Sequence, residues 1–182
     1  MSQLPQTIRW NSGELYFLDQ TLLPHKVVEE KQETVEQVWD SIRQLKVRGA
    51  PAIGVAGAYG LLLAIQDKTG LHKNRFNELI KDKAEYLDSA RPTAVNLKWA
   101  LDRMLECTKS FSGDDSKELF KYLEDEAIRI HNEDEKLCLN IGKYGVSLIK
   151  KDMGVMTHCN AGALATTGIG TATAPMYLAH RK

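Results

Sequence analysis

Three short segments hold the residues that could do chemistry. They are Arg48-Gly-Ala-Pro-Ala-Ile-Gly54, Arg91-Pro-Thr-Ala-Val-Asn-Leu97 and Thr157-His-Cys-Asn-Ala-Gly-Ala-Leu-Ala165. In the first, Pro51 suits the opening turn of a helix, where its missing N–H leaves no hydrogen bond unmade. Free amides at such a start, with Arg48, Gly49 and Ala50 at its mouth, form a cradle for a phosphate or a sugar oxygen. A surface ion pair is the plain alternative for Arg48. Pro92 predicts a second helix start, with Arg91 in the same setting. Arginines favour helix C-termini, so two of them at two helix starts suggest one shared anion. In the third segment, Gly154 to His158 reads as a short buried parallel strand. Cys159 then falls at the strand's carboxyl end, where open α/β sheets bind ligands. The small residues Ala161 to Ala165 let backbone amides come close to a ligand and favour a thiolate or an anion. The plain alternatives are a buried structural thiol for Cys159, a satisfied core histidine for His158 and a turn former for Asn160. Gly168-Ile-Gly170 lacks the full dinucleotide spacing after a strand.

Several elements must position these groups. Ile8-Arg-Trp10, the turn Asn11-Ser-Gly13 and Glu14 to Leu18 predict a hairpin. After a break from Asp19 to Pro24, Lys26 to Glu30, centred on Val27 and Val28, predicts a third strand of a small antiparallel meander. Thr34 to Gln37 has capping-box spacing, ahead of a helix ending near Lys46. The helix from Pro51 to about Asp67 contains Gly54, Gly57 and Gly60. Glycine costs about 1 kcal/mol per helical site against alanine, so close packing against a neighbour is the expected reason. Further apolar stripes mark a helix around Phe76 to Leu87 and another from Leu97 to Leu105. The longest helix is capped within Asp114 to Ser116 and runs toward Ile149. His131 and Asp134 are read as its solvated edge. Thr171 to Ala179 starts a last helix.

With 24 basic and 24 acidic residues the net charge is zero, which gives no electrostatic case for nucleic acid. No signal peptide and no membrane-spanning apolar run stand out. The three cysteines have neither paired nor metal-type spacing and suit a reducing cytoplasm. No metal or organic cofactor is implied.

The three segments together, with Ile8-Arg-Trp10 and Leu22-Leu-Pro24, resemble the signature segments of the 5-methylthioribose-1-phosphate isomerases over essentially the whole chain. That family is related to the regulatory subunits of the eukaryotic exchange factor for translation initiation and to archaeal ribose-1,5-bisphosphate isomerases. The resemblance implies an aldose-to-ketose isomerisation of 5-methylthioribose 1-phosphate in methionine salvage, a homodimer, and no cofactor. It makes Arg48, Gly49, Ala50 and Arg91 substrate-binding, and Cys159 an aid to hydrogen transfer. It implies a β-meander and helical domain over 1–112, a connecting helix over 113–150, and the start of a Rossmann-like parallel α/β domain over 151–182. Such isomerases are about twice this length on the usual domain-size scale, and their catalytic aspartate matches no residue here. The expectation is therefore an N-terminal half with little or no turnover alone. Three other functions compete: ribose-1,5-bisphosphate isomerisation, non-catalytic sugar-phosphate sensing, and a purely structural or interaction fragment with the long helix at a dimer interface. A pure sensor gives no role to the Cys159 thiol.

Overall fold

The computed structural model describes residues 6–181. Strands β1 (Ile8–Asn11) and β2 (Glu14–Leu18) form a hairpin through Ser12 and Gly13, at φ 50° and 83°. Positive φ at both turn residues matches the right-handed twist of the strands. Strand β3 (Glu29–Gln32) completes an antiparallel sheet of order β1-β2-β3, with Leu15 opposite Gln32 and Leu18 opposite Glu29. The third strand lies later than the sequence suggests. Val27 is exposed, and a polar strand takes its place. That strand is held by the ladder, by Lys31 and Arg9 pairing with Glu14 and Glu29, and by Ser41 Oγ donating to buried Gln32.

Helix α1 (Val35–Arg43) begins as expected. Thr34 accepts from the Gln37 amide, and the Gln37 side chain accepts from the Glu33 amide. It ends ahead of Lys46, with Leu45 at φ 63°. Helix α2 (Ala50–Ile65) is the central element, packed against α1, the sheet, α3 (Lys73–Asp88), α4 (Val95–Ser110) and α5 (Ser116–Gly145). Its glycines are the points of closest approach. A Cβ at Gly54 would lie 2.9 Å from the Asn96 carbonyl oxygen, one at Gly57 2.5 Å from Leu97 Cδ1, and one at Gly60 2.6 Å from Val38 Cγ1. The stretch Ala50–Lys68 is long and apolar enough to cross a bilayer, contrary to the sequence reading. Most of it is buried inside the protein, as a helix surrounded by other elements requires.

Helix α5 is capped by Asp115, which accepts from the Lys117 amide. Its first half buries Leu119, Leu123, Ala127 and Ile130 in the core. Its C-terminal part carries α6 (Ala174–His180), which sits closely over Gly142 and Gly145. Residues 151–181 hold α6 and a 3-10 turn at Ala163–Ala165, and the expected strand at Gly154 to His158 is absent. That stretch is exposed and has no neighbouring strand, so water rather than a ladder solvates its backbone. A Rossmann-like sheet is not seen among the described residues.

Candidate functional site

Gly49 is the N-cap of α2, at φ 94° and ψ 135°. This geometry suits glycine alone and lets the chain turn into the helix while another backbone lies against it. That backbone is the loop 161–170. A Cβ at Gly49 would sit 2.4 Å from the Cβ and 2.7 Å from the carbonyl oxygen of Ala165.

The loop is tied down on three sides. Thr7 Oγ1 donates to the Ala163 carbonyl at 3.2 Å, and Gln20 Nε2 donates to the Leu164 carbonyl at 2.7 Å. Thr166 Oγ1 accepts from the amides of Gly168 and Gly170. Thr167 donates to Asp134 Oδ2 through both its amide, at 2.7 Å, and its hydroxyl, at 2.8 Å. Asp134 is thus a half-buried anchor for the loop, and the solvated edge read from the sequence is corrected. His131 is corrected too. Its ring packs on Tyr59 at 5.8 Å, its Nδ1 is buried with no partner among the described residues, and burial lowers its pKa. The first correction follows from the loop docking on α5 and the second from packing against Tyr59 of α2, neither of which helical periodicity can reveal.

Where the loop meets the start of α2, a cavity of about 490 Å³ opens. Arg48 and Cys159 both line it, from segments more than a hundred residues apart, together with Gln20, Thr157, Asn160 and Tyr177. Arg48 is exposed, and no carboxylate pairs with it among the described residues. Cys159 is exposed, at φ 66°, in place of the buried thiol of the plain alternative. His158 is exposed as well, so it is no core histidine.

Arg91 is placed differently. It opens the turn Arg91-Pro92-Thr93-Ala94, closed by the Ala94 amide donating to the Arg91 carbonyl at 2.9 Å. Pro92 therefore takes the second position of a β-turn, which its fixed φ also suits. Helix α4 begins three residues later than Pro92. Arg91 does not line the cavity shared by Arg48 and Cys159. A second cavity, of about 480 Å³, is walled by apolar groups of α2, α4 and α5, among them Val55, Val95, Trp99, Leu137 and Ile141. Sequence reasoning missed Gln20 as a cavity residue. Its only signal is the polar Asp19-Gln20 pair directly after an apolar strand.

Residues 46–182 match the Initiation factor 2 subunit family. The chain belongs to that family. Among its relatives, the 5-deoxyribose 1-phosphate isomerase of Bacillus thuringiensis (strain Al Hakam) is 49% identical over 175 residues, covering 96% of this chain and 50% of the relative. The protein of the same name from Clostridium botulinum (strain Okra / Type B1) is 49% identical over 177 residues, covering 96% of this chain and 51% of the relative. The crystal structure of 5-methylthioribose 1-phosphate isomerase from Pyrococcus horikoshii OT3 superposes with a TM-score of 0.88 at 36% identity, over 97% of this chain and 50% of that one. The translation initiation factor eIF-2B, subunit delta, from A. fulgidus gives 0.86 at 37% identity, over 97% and 51%. This family member therefore spans about half the length of the curated relatives it matches.

Proposed function

We propose that the chain is the substrate-gripping half of an aldose–ketose isomerase acting on a ribose 1-phosphate whose C5 bears no phosphate. The observation that carries this reading is the shared cavity, lined by a guanidinium with no carboxylate partner among the described residues and by an exposed thiol. Relatives named for 5-deoxyribose 1-phosphate and 5-methylthioribose 1-phosphate support the substrate class. Both sugars carry the phosphate on the anomeric oxygen. Such a ring cannot open by losing a hydroxyl proton. The reaction breaks the bond from C1 to the ring oxygen and moves hydrogen from C2 to C1. The O2 hydroxyl proton is lost and the departing ring oxygen gains one to become the C4 hydroxyl, so O2 becomes a carbonyl and the phosphate stays in place, with no net oxidation.

In this reading Arg48 and the amides of Gly49 and Ala50 hold the phosphate at the start of α2. The family resemblance assigns Arg91 to the substrate as well, although it lies outside the cavity that Arg48 and Cys159 line. Cys159 lies beside the reacting carbons and assists the hydrogen transfer. The acid–base aspartate known from the family resemblance has no counterpart in these 182 residues. With 5-methylthioribose 1-phosphate as substrate, the reaction belongs to methionine salvage. A cytoplasmic homodimer is part of the same reading, and sedimentation equilibrium tests the dimer.

The deciding experiment is ³¹P NMR of each sugar 1-phosphate incubated with the chain and with a polypeptide matching the relatives' second half. Conversion of a 5-deoxy or 5-methylthio sugar, abolished by Cys159→Ala, supports the reading. Conversion of ribose 1,5-bisphosphate alone, or binding without conversion in the complete assembly, overturns it.

A further inference from the structure

Gln20 stands between the two halves of the cavity. It opens the 3-10 turn Gln20–Leu22 after β2, fixed there by Asp19, which accepts from the Thr21 amide at 2.9 Å and its hydroxyl at 2.6 Å. The residue is only 4% exposed. Its backbone amide donates to the Lys46 carbonyl at 2.9 Å, two residues ahead of Arg48. Its side-chain amide donates to the Leu164 carbonyl at 2.7 Å, in the loop that follows Cys159. One residue thus holds the arginine segment through its main chain and the thiol loop through its side chain. Thr7 also holds the loop, but its hydroxyl bond runs to Ala163 and leaves the arginine segment untouched. Gly49 approaches the loop by packing alone. The remaining Gln20 oxygen, Oε1, is buried with no donor among the described residues.

We propose that Gln20 is a positioning residue, setting the distance between the Arg48 anion site and the Cys159 thiol so that both face one sugar phosphate. The proposal rests on the sugar-phosphate reading of the cavity. It predicts that an anion at Arg48 shields Cys159, and that this coupling needs the hydrogen bond from Gln20 to Leu164 rather than the bulk of the side chain.

The test is the rate of iodoacetamide alkylation at Cys159, resolved by peptide mass spectrometry, with and without inorganic phosphate. Gln20→Met keeps the volume and removes the donor. Gln20→Glu donates to the Leu164 carbonyl only when its carboxyl is protonated. In the parent, phosphate slows alkylation. In Gln20→Met, the fold is kept with melting lowered by the one lost bond, while the phosphate needed for half-protection rises about tenfold, the scale of one lost buried hydrogen bond. In Gln20→Glu, protection is lost at neutral pH and returns on acidification. The ratio of rates with and without phosphate at each pH cancels the thiol's own titration. A merely structural glutamine would show no such profile. Should the Met variant not fold, the Glu profile decides alone. No phosphate protection in the parent refutes the sugar-phosphate reading and the proposal with it. Protection in the parent that both variants keep at every pH refutes the role of Gln20 only.

Discussion

Replacing Gly49 with alanine tests the joint between α2 and the loop. The added Cβ would lie 2.4 Å from Ala165 Cβ and 2.5 Å from its Cα, where carbon atoms rest at about 3.5–4.0 Å. The obstacle is backbone, so no rotamer change relieves it. Alanine at φ 94° also carries backbone strain of about 1–3 kcal/mol. Relief of the clash requires the loop to withdraw by about 1 Å or more, which breaks the bonds from Thr7 and Gln20. Each of these is worth about 0.5–1.5 kcal/mol. The sum is about 2–6 kcal/mol, read as a fall in urea unfolding free energy at unchanged m-value. Gly70→Ala is the control, since a Cβ there meets nothing within 4 Å. It should stay within about 0.5 kcal/mol of the parent. Loop release should also speed Cys159 alkylation in Gly49→Ala. A loss below about 1 kcal/mol, with alkylation unchanged, would show that the docked loop does not constrain residue 49.

The remaining tests are brief. In Gly57→Ala the new methyl clashes with the tip of Leu97 and touches Leu101 at ordinary contact distance, and the gain in helix propensity of about 1 kcal/mol offsets part of the crowding, so urea unfolding should move by less than in Gly54→Ala, which meets the Asn96 carbonyl. Of the three thiols, exposed Cys159 should alkylate first, because burial pushes Cys107 up to about 11 and raises Cys138 as well; mass spectrometry of a partial reaction reads the order, and early labelling of Cys138 would contradict it. His131 is held below its ordinary 6.5 by burial, against the opposing carboxylates of Glu135 and Asp134. The unfolded chain takes up the proton first, so stability is full above pH 6.5 and falls as pH drops below it, by at most about 1.4 kcal/mol per pH unit. His131→Phe keeps a ring against Tyr59 and should flatten that limb of the pH profile. On the proposed isomerase reading, the 182 residues alone should turn over sugar phosphate about 10²–10⁴-fold more slowly than the same chain joined by a polypeptide matching the relatives' second half; equal turnover would refute that reading's division of roles.

Local signals were readable where they depend on neighbours in the chain. The Ser12-Gly13 turn, the Thr34 cap and the glycines of α2 all announce themselves within a few residues, and the glycines even imply a close partner. Partner identity is another matter. Nothing near Asp134 says that Thr167 will bond to it, and nothing near Gly49 names Ala165. Val27 and Val28 look like strand residues and draw the expected third strand too early in the chain. The strand instead follows the register with β2 and the Ser41–Gln32 bond. Gly154 to His158 has the composition of a buried strand, but composition supplies no neighbouring strand. The meeting of Arg48 and Cys159 in one cavity is likewise a property of the loop's docking, invisible to spacing.

Helix α2 has apolar residues on every side because it is enclosed on every side. Once the surrounding helices separate, that shield is gone and a sixteen-residue, largely apolar stretch faces water. Heated chains should therefore clump, or partition into detergent micelles, faster than they find their way back. Their melting point should then drift with scan rate, while the chaotrope that dissolves such clumps preserves a reversible transition.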